Sequence, residues 1–158
     1  MSNSAYGKYF VSYNRNDEDK AIQLVQRLKS VGLDCWRDND DIFPADIWGT
    51  EIESAITSCK ALILLVSEKS LISQWVIYEW AWAHFNKKPI IQLDVEPISS
   101  AARHSVLQRL ESIQFPDTDE AWNKFVLHLH NQYHQSSMTL MRHNLWDKSN
   151  SKKDGPRW

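Results

Sequence analysis

Glycine is scarce in this chain, four in 158 residues, and no two lie close together. Phosphate-cradling loops need clustered glycines between a strand and a helix, so a P-loop and a Rossmann dinucleotide fingerprint are both excluded. Cysteine is rarer still. Cys35 and Cys59 sit in apolar-rich stretches and read as reduced core thiols rather than as a disulfide framework. Neither sign of charge dominates: 18 Lys and Arg stand against 20 Asp and Glu, a net charge of −2 with a pI near 6.3. That balance excludes a general affinity for nucleic acid or an anionic membrane surface. Also missing is any uninterrupted apolar run of the ~18 residues that a membrane span requires. The N-terminal MSNSAYGKY is polar, unlike a signal peptide. The expectation is a soluble, cytoplasmic protein, long enough to bury the core of one domain.

Strand and helix patterns alternate along the chain. Tyr9 to Tyr13 is a β-prone run, closed by the polar turn Asn14–Asp17, with Asp17 placed to cap the next helix. Ala21, Leu24, Val25, Leu28 and Val31 recur at helical spacing until Gly32 ends the pattern. Leu33 to Trp36 reads as a second strand, and Arg37 to Ile47 as an acidic loop holding Asp38, Asp40 and Asp41. A helix follows over Trp48 to Ser58. Ala61 to Val66 is apolar throughout, as a parallel strand covered on both faces should be. An aromatic helix, Ser70 to Asn86, leads to a fourth strand at Pro89 to Leu93. A short helix (Val106 to Leu110), a fifth strand (Ser112 to Phe115) and a last helix (Ala121 to Tyr133) complete the pattern. This alternation predicts an α/β fold, a flavodoxin-like doubly wound sheet of five parallel strands flanked by helices. In such sheets ligands bind outside the carboxyl ends of the strands. Here those ends carry Ser12, Tyr13, Trp36, Arg37, Asp38 and Ser67. Residues 1–134 are expected to form the domain. Residues 135–158, rich in Ser, Asn, Lys and Asp, read as a tail or a linker towards a regulatory domain or protein.

Tryptophan is abundant, with eight residues, and several lie on the Ser70–Asn86 helix. Among them stands one carboxylate, Glu79. Burying an ionised carboxylate costs several kcal/mol unless it is paired, so its presence there points to use. Helical periodicity puts Trp75 and Trp82 on the same side as Glu79. A carboxylate beside an indole can stack a flat ring and stabilise a developing positive charge. Trp80 and Trp82 cannot both face one pocket, so one of them is expected in packing or at a subunit contact. The acidic run Asp38, Asp40, Asp41 reads as a solvated loop rather than a cation site. Of His128, His130 and His134, only His130 and His134 share a helix face and no third ligand joins them, so no metal is expected.

Phe10-Val11-Ser12-Tyr13 with Asp17, then Trp36-Arg37-Asp38 with Ile42, Pro44, Trp48, Ile52 and Ala55-Ile56, form two ordered boxes. Ser58, the strand Leu62 to Ser67, Ser73-Gln74-Trp75-Val76 with Glu79 and Ala83, and Pro89-Ile90-Ile91 continue the series. In order and spacing this resembles a TIR (Toll/interleukin-1 receptor) domain of the bacterial, NAD+-cleaving type, over roughly residues 8–133. Two positions depart from the family pattern: Ala45 replaces the usual glycine of the long loop, and Val76 a common cysteine.

The resemblance implies cleavage of NAD+ to nicotinamide and ADP-ribose or a cyclic isomer, with NAD+ as substrate and no further cofactor. It makes Glu79 the catalytic carboxylate and Trp75 the residue that stacks on nicotinamide. Ser12, Tyr13, Asp38 and Trp48 become pocket-lining candidates. It further implies self-association through TIR–TIR contacts and a role in bacterial defence or signalling. The alternative it leaves open is a non-catalytic TIR adaptor or scaffold.

Overall fold

The computed structural model describes residues 7–37 and 45–132, with side chains in the second stretch described from residue 49. The chain divides into two compact units, the first ending at Phe115 and the second beginning at Pro116. The expected tail, 135–158, lies outside the described residues.

In the first unit, strand β1 (Tyr9–Ser12) is buried at all four positions. It runs between β2 (Cys35–Arg37) and β3 (Leu62–Val66), followed outward by β4 (Ile90–Asp94) and β5 (Ser112–Gln114). All pairings are parallel and the order is β2-β1-β3-β4-β5. The expected five-stranded parallel sheet is what forms. Apolar residues fill every position of β3, as they must in a strand covered on both sides. Successive strand residues alternate between faces. Phe10, Leu62, Leu64 and Val66 enter one core with Ile52, Ile56, Val76, Trp80 and Ala83. Val11, Ile63 and Leu65 point the other way and are buried as well.

Helices connect the strands: α1 (Glu18–Ser30), α2 (Ala45–Ser58), α3 (Glu68–Ile72), α4 (Gln74–Phe85) and α5 (Ser105–Gln108). Several boundaries differ from expectation. Asp17 ends a 3-10 turn (Arg15–Asp17) whose cap is Asn14, and its carboxylate makes no capping hydrogen bond to α1. Helix α2 starts at Ala45 rather than Trp48, because an alanine and an acidic residue suit a first turn. The aromatic helix is in fact two. Ser67 and Ser70 close a reciprocal capping box on α3, and Ser73 then caps α4 by accepting from the Val76 N–H (3.4 Å).

Two backbone positions need particular residues. Gly32 takes a φ of +80° beyond α1, where glycine carries little strain. At Gly7 a Cβ would lie 2.4 Å from the Ser58 carbonyl oxygen, so only glycine lets the chain enter β1 there. Lys87 occupies the comparable place after α4 with φ 57°. Its N–H donates to His84 O (3.1 Å) and the Lys88 N–H to Ala83 O (2.9 Å), a Schellman closure. Lys87→Gly is therefore expected to raise stability by about 0.5–1 kcal/mol, read as a higher denaturation midpoint.

The second unit contains a helix described over 119–132, with Trp122, Phe125 and Leu129 buried along one side. No described helix is long and apolar enough to cross a membrane.

Candidate active site

Helix α4 carries two stripes. Val76, Glu79, Trp80 and Ala83 are its buried residues, at the spacing of one inward face. Glu79 thus occupies a position where a hydrophobe is the usual choice, at 1% exposure. The other stripe is a ladder of rings. Trp75 meets Tyr78 (5.4 Å between centroids), Tyr78 stacks on Trp82 (6.4 Å), and Trp82 meets Phe85 (6.1 Å).

The carboxylate of Glu79 is reached from the sheet. Ser12, the last residue of β1, is fully buried, and its Oγ donates to Glu79 Oε1 at 2.9 Å. Glu79 Oε2 is buried too. Ser12 pairs in register with Leu64 of β3. From β1 the chain turns outward to β2 and then returns to β3 on the opposite side. The Ser12–Glu79 contact therefore lies at the switch point of the strand order, where open α/β sheets bind ligands.

The other candidates scatter. Tyr13 is half-buried, and its phenolic oxygen accepts from Arg37 Nη1 (3.4 Å), which also pairs with Glu18 (3.3 Å). Trp75 is partly buried one turn before Glu79, with its ring turned to Tyr78. Trp82 does not join the carboxylate: it stacks on Tyr78, and its Nε1 donates to Thr57 Oγ1 of α2 (3.3 Å). The Tyr78 hydroxyl likewise donates to Glu53 Oε1 of α2. These two bonds draw the ladder towards α2 and explain the departure from simple periodicity. Trp80 is the packed one of the pair, 4% exposed and in ring contact with His104 (5.3 Å). Asp38 and the Trp48 side chain lie outside the described residues, as do Asp40 and Asp41.

Periodicity alone missed a second polar contact at this edge of the sheet. Ser67 Oγ, just after β3, donates to Asp17 Oδ2 at 2.6 Å. Burial pushes the Asp17 carboxyl above its ordinary range, opposed by that hydrogen bond. Ser67 was visible at a strand end and Asp17 as a helix cap, but only the fold brings them together. Burial also pushes the Cys35 thiol up to about 12 and the Cys59 thiol to about 11, so both stay protonated and unreactive near neutrality. Among the described residues, no group of three or more His, Cys, Asp and Glu could hold a metal ion.

Solved structures with the same fold include the TIR domain of the Toll-related receptor TRR-2 from Hydra magnipapillata. It is 17% identical, with a TM-score of 0.65 over 78% of this chain and 95% of that one. A metazoan TIR-STING receptor from C. gigas is 24% identical, with a TM-score of 0.59 over 72% of this chain and 37% of that one. The CMP N-glycosidase BcmB of Clostridium botulinum is 18% identical, with a TM-score of 0.55 over 76% and 98%. No curated protein matches the chain in sequence. The TIR-domain family profile matches residues 10–129, which takes in all five strands except Tyr9 together with the Ser12–Glu79 pair, and the chain belongs to that family.

Proposed function

We propose that this TIR domain is an NAD+ glycohydrolase or cyclase that releases nicotinamide and forms ADP-ribose or a cyclic isomer. The observation that carries the reading is the Glu79 carboxylate, buried on the inward face of α4 and hydrogen-bonded at the switch point. A scaffold gains nothing from burying an acid there, because an apolar residue would pack at lower cost. The likeness to BcmB adds modest support, since that protein is described as an N-glycosidase.

Nicotinamide in NAD+ is already a cationic leaving group, so bond cleavage needs little help from a general acid. The transition state is oxocarbenium-like, as in glycoside hydrolysis. A fixed carboxylate away from bulk water accepts hydrogen bonds from ribose hydroxyls and stabilises positive charge near C1. Trp75 is assigned to the nicotinamide ring, and Tyr13, Asp38 and Trp48 to the pocket wall. Which nucleophile is held close then selects the product: water gives ADP-ribose, and a folded-back adenine or ribose oxygen closes a ring. NAD+ is substrate, and no additional cofactor enters the reading.

The decisive assay incubates the purified protein with NAD+ and follows nicotinamide by chromatography. It is run at high protein concentration and with a crowding agent, because the reading includes activation by self-association. Steady release is the expected result, and its absence under every condition counts against the reading. A second reading, a non-catalytic adaptor or scaffold, is favoured by the ring ladder, where Phe85 is 78% exposed. In both readings α4 supplies a TIR–TIR contact. For the enzyme, a defence or signalling role in a bacterium is proposed, under a regulatory domain or protein reached through residues 135–158.

A further inference from the structure

A hydroxyl has one proton to give. Ser12 gives it to Glu79 Oε1, at 2.9 Å, from a site with 0% exposure. With that proton engaged by the carboxylate, the hydroxyl has none left to offer a substrate. Its position is also tightly held. Ser12 closes a central parallel strand and pairs with Leu64, while Phe10, two residues earlier on the same face, is locked into the apolar core. Glu79 has the opposite character, with several rotatable bonds and a helix backbone as its only covalent anchor.

We propose that Ser12 is a positioning residue: its hydroxyl fixes the rotamer of the Glu79 carboxylate and favours its charged form, without touching substrate. This takes the glycohydrolase reading as its frame and replaces the pocket-lining role expected from resemblance. A donor directed at a carboxylate stabilises the ionised state, so removing it raises the pH at which that acid protonates. It also weakens the hold on the productive rotamer, which lowers turnover rather than binding.

The test compares the wild type with Ser12→Ala and Ser12→Thr, using NAD+ as the probe. Ser12→Ala is expected to lower kcat about ten- to a hundred-fold. KM should stay within about two-fold, and the acidic limb of the kcat profile should move to higher pH. Ser12→Thr keeps the donor and should recover most of the lost kcat. If Ser12→Ala does not fold, Ser12→Cys, close in size but a weak donor, takes its place. A raised KM at unchanged kcat would mean that the hydroxyl contacts substrate, and the proposal falls. An unmoved pH profile would mean that Ser12 serves stability alone, and the proposal falls again. The reading itself is tested apart, by whether the wild type releases nicotinamide. A carboxyl ¹³C titration of Glu79 then decides the Ser12 coupling independently of turnover. A midpoint raised in Ser12→Ala and restored in Ser12→Thr supports it, and an unchanged midpoint overturns it.

Discussion

Glu79→Gln should abolish nicotinamide release while leaving a folded protein. The amide matches the carboxylate in shape, and its oxygen can still accept from Ser12 Oγ, now 2.9 Å from Oε1. Only the negative charge is lost. If that charge faces the oxocarbenium centre, the rate should fall by at least ~100- to 1000-fold, the scale seen when one electrostatic contact to a transition state is removed. Stability should move the other way. Glu79 is 1% exposed, and a neutral amide is cheaper to bury than a carboxylate. The expected pattern is a dead enzyme whose melting temperature is equal to or above that of the wild type. That pairing separates use from architecture: an acid kept for structural reasons would lower the melting temperature when neutralised. Nicotinamide release at the wild-type rate would refute the catalytic role.

Arg103→Ala should be strongly destabilising although it lies away from the candidate site. Arg103 is 7% exposed and grips Asp94 with both arms, Nη1 to Oδ1 at 2.9 Å and Nη2 to Oδ2 at 2.5 Å. Its Nη1 also donates to Gln92 Oε1 (3.0 Å), and Gln92 Nε2 donates in turn to the carbonyls of Leu107 (3.0 Å) and Leu110 (3.3 Å). The network binds the end of β4 to the segment leading into β5. Truncating the arginine strands a buried carboxylate, which costs about 3–5 kcal/mol. Against a total stability of about 5–15 kcal/mol for a domain, that is a large share. Urea denaturation should show a much lower midpoint with a similar slope. Arg103→Lys should recover only part of the loss, since an ammonium cannot make the paired contact. The double change Arg103→Met with Asp94→Leu should return towards the wild type, because it removes the stranded charge along with the bond. A midpoint for Arg103→Ala near that of the wild type would show the network to be dispensable.

Much of the sheet was legible before any coordinates. The apolar runs around Phe10, Leu64 and Ile91 announce buried parallel strands, and Gly32 marks the end of α1, because each signal is local. The division of the aromatic helix at Ser73 was not legible. Ser67, Ser70 and Ser73 are all competent caps, and only the path of the chain after β3 decides which are used. Glu79 stood out because a carboxylate among indoles breaks the pattern of its helix. Its link to Ser12 spans 67 residues, and nothing local in either segment encodes it. Helical periodicity placed Trp82 beside Glu79, but the hydrogen bond to Thr57 and the stacking on Tyr78 drew it towards α2. Gln92, Asp94 and Arg103 went unread for a different reason. Each is an ordinary polar residue in its own stretch, and their meaning is wholly mutual.

The four rings along α4 sit about one ring diameter apart, with centroid spacings of 5.4, 6.4 and 6.1 Å. Chromophores this close, held in a fixed asymmetric arrangement, share their excited states and give a strong near-ultraviolet circular dichroism band that vanishes when side-chain packing loosens. The molecule thus carries an optical gauge, free of any label, on the helix that also bears Glu79. Docking of a second copy against Phe85 would change that band directly.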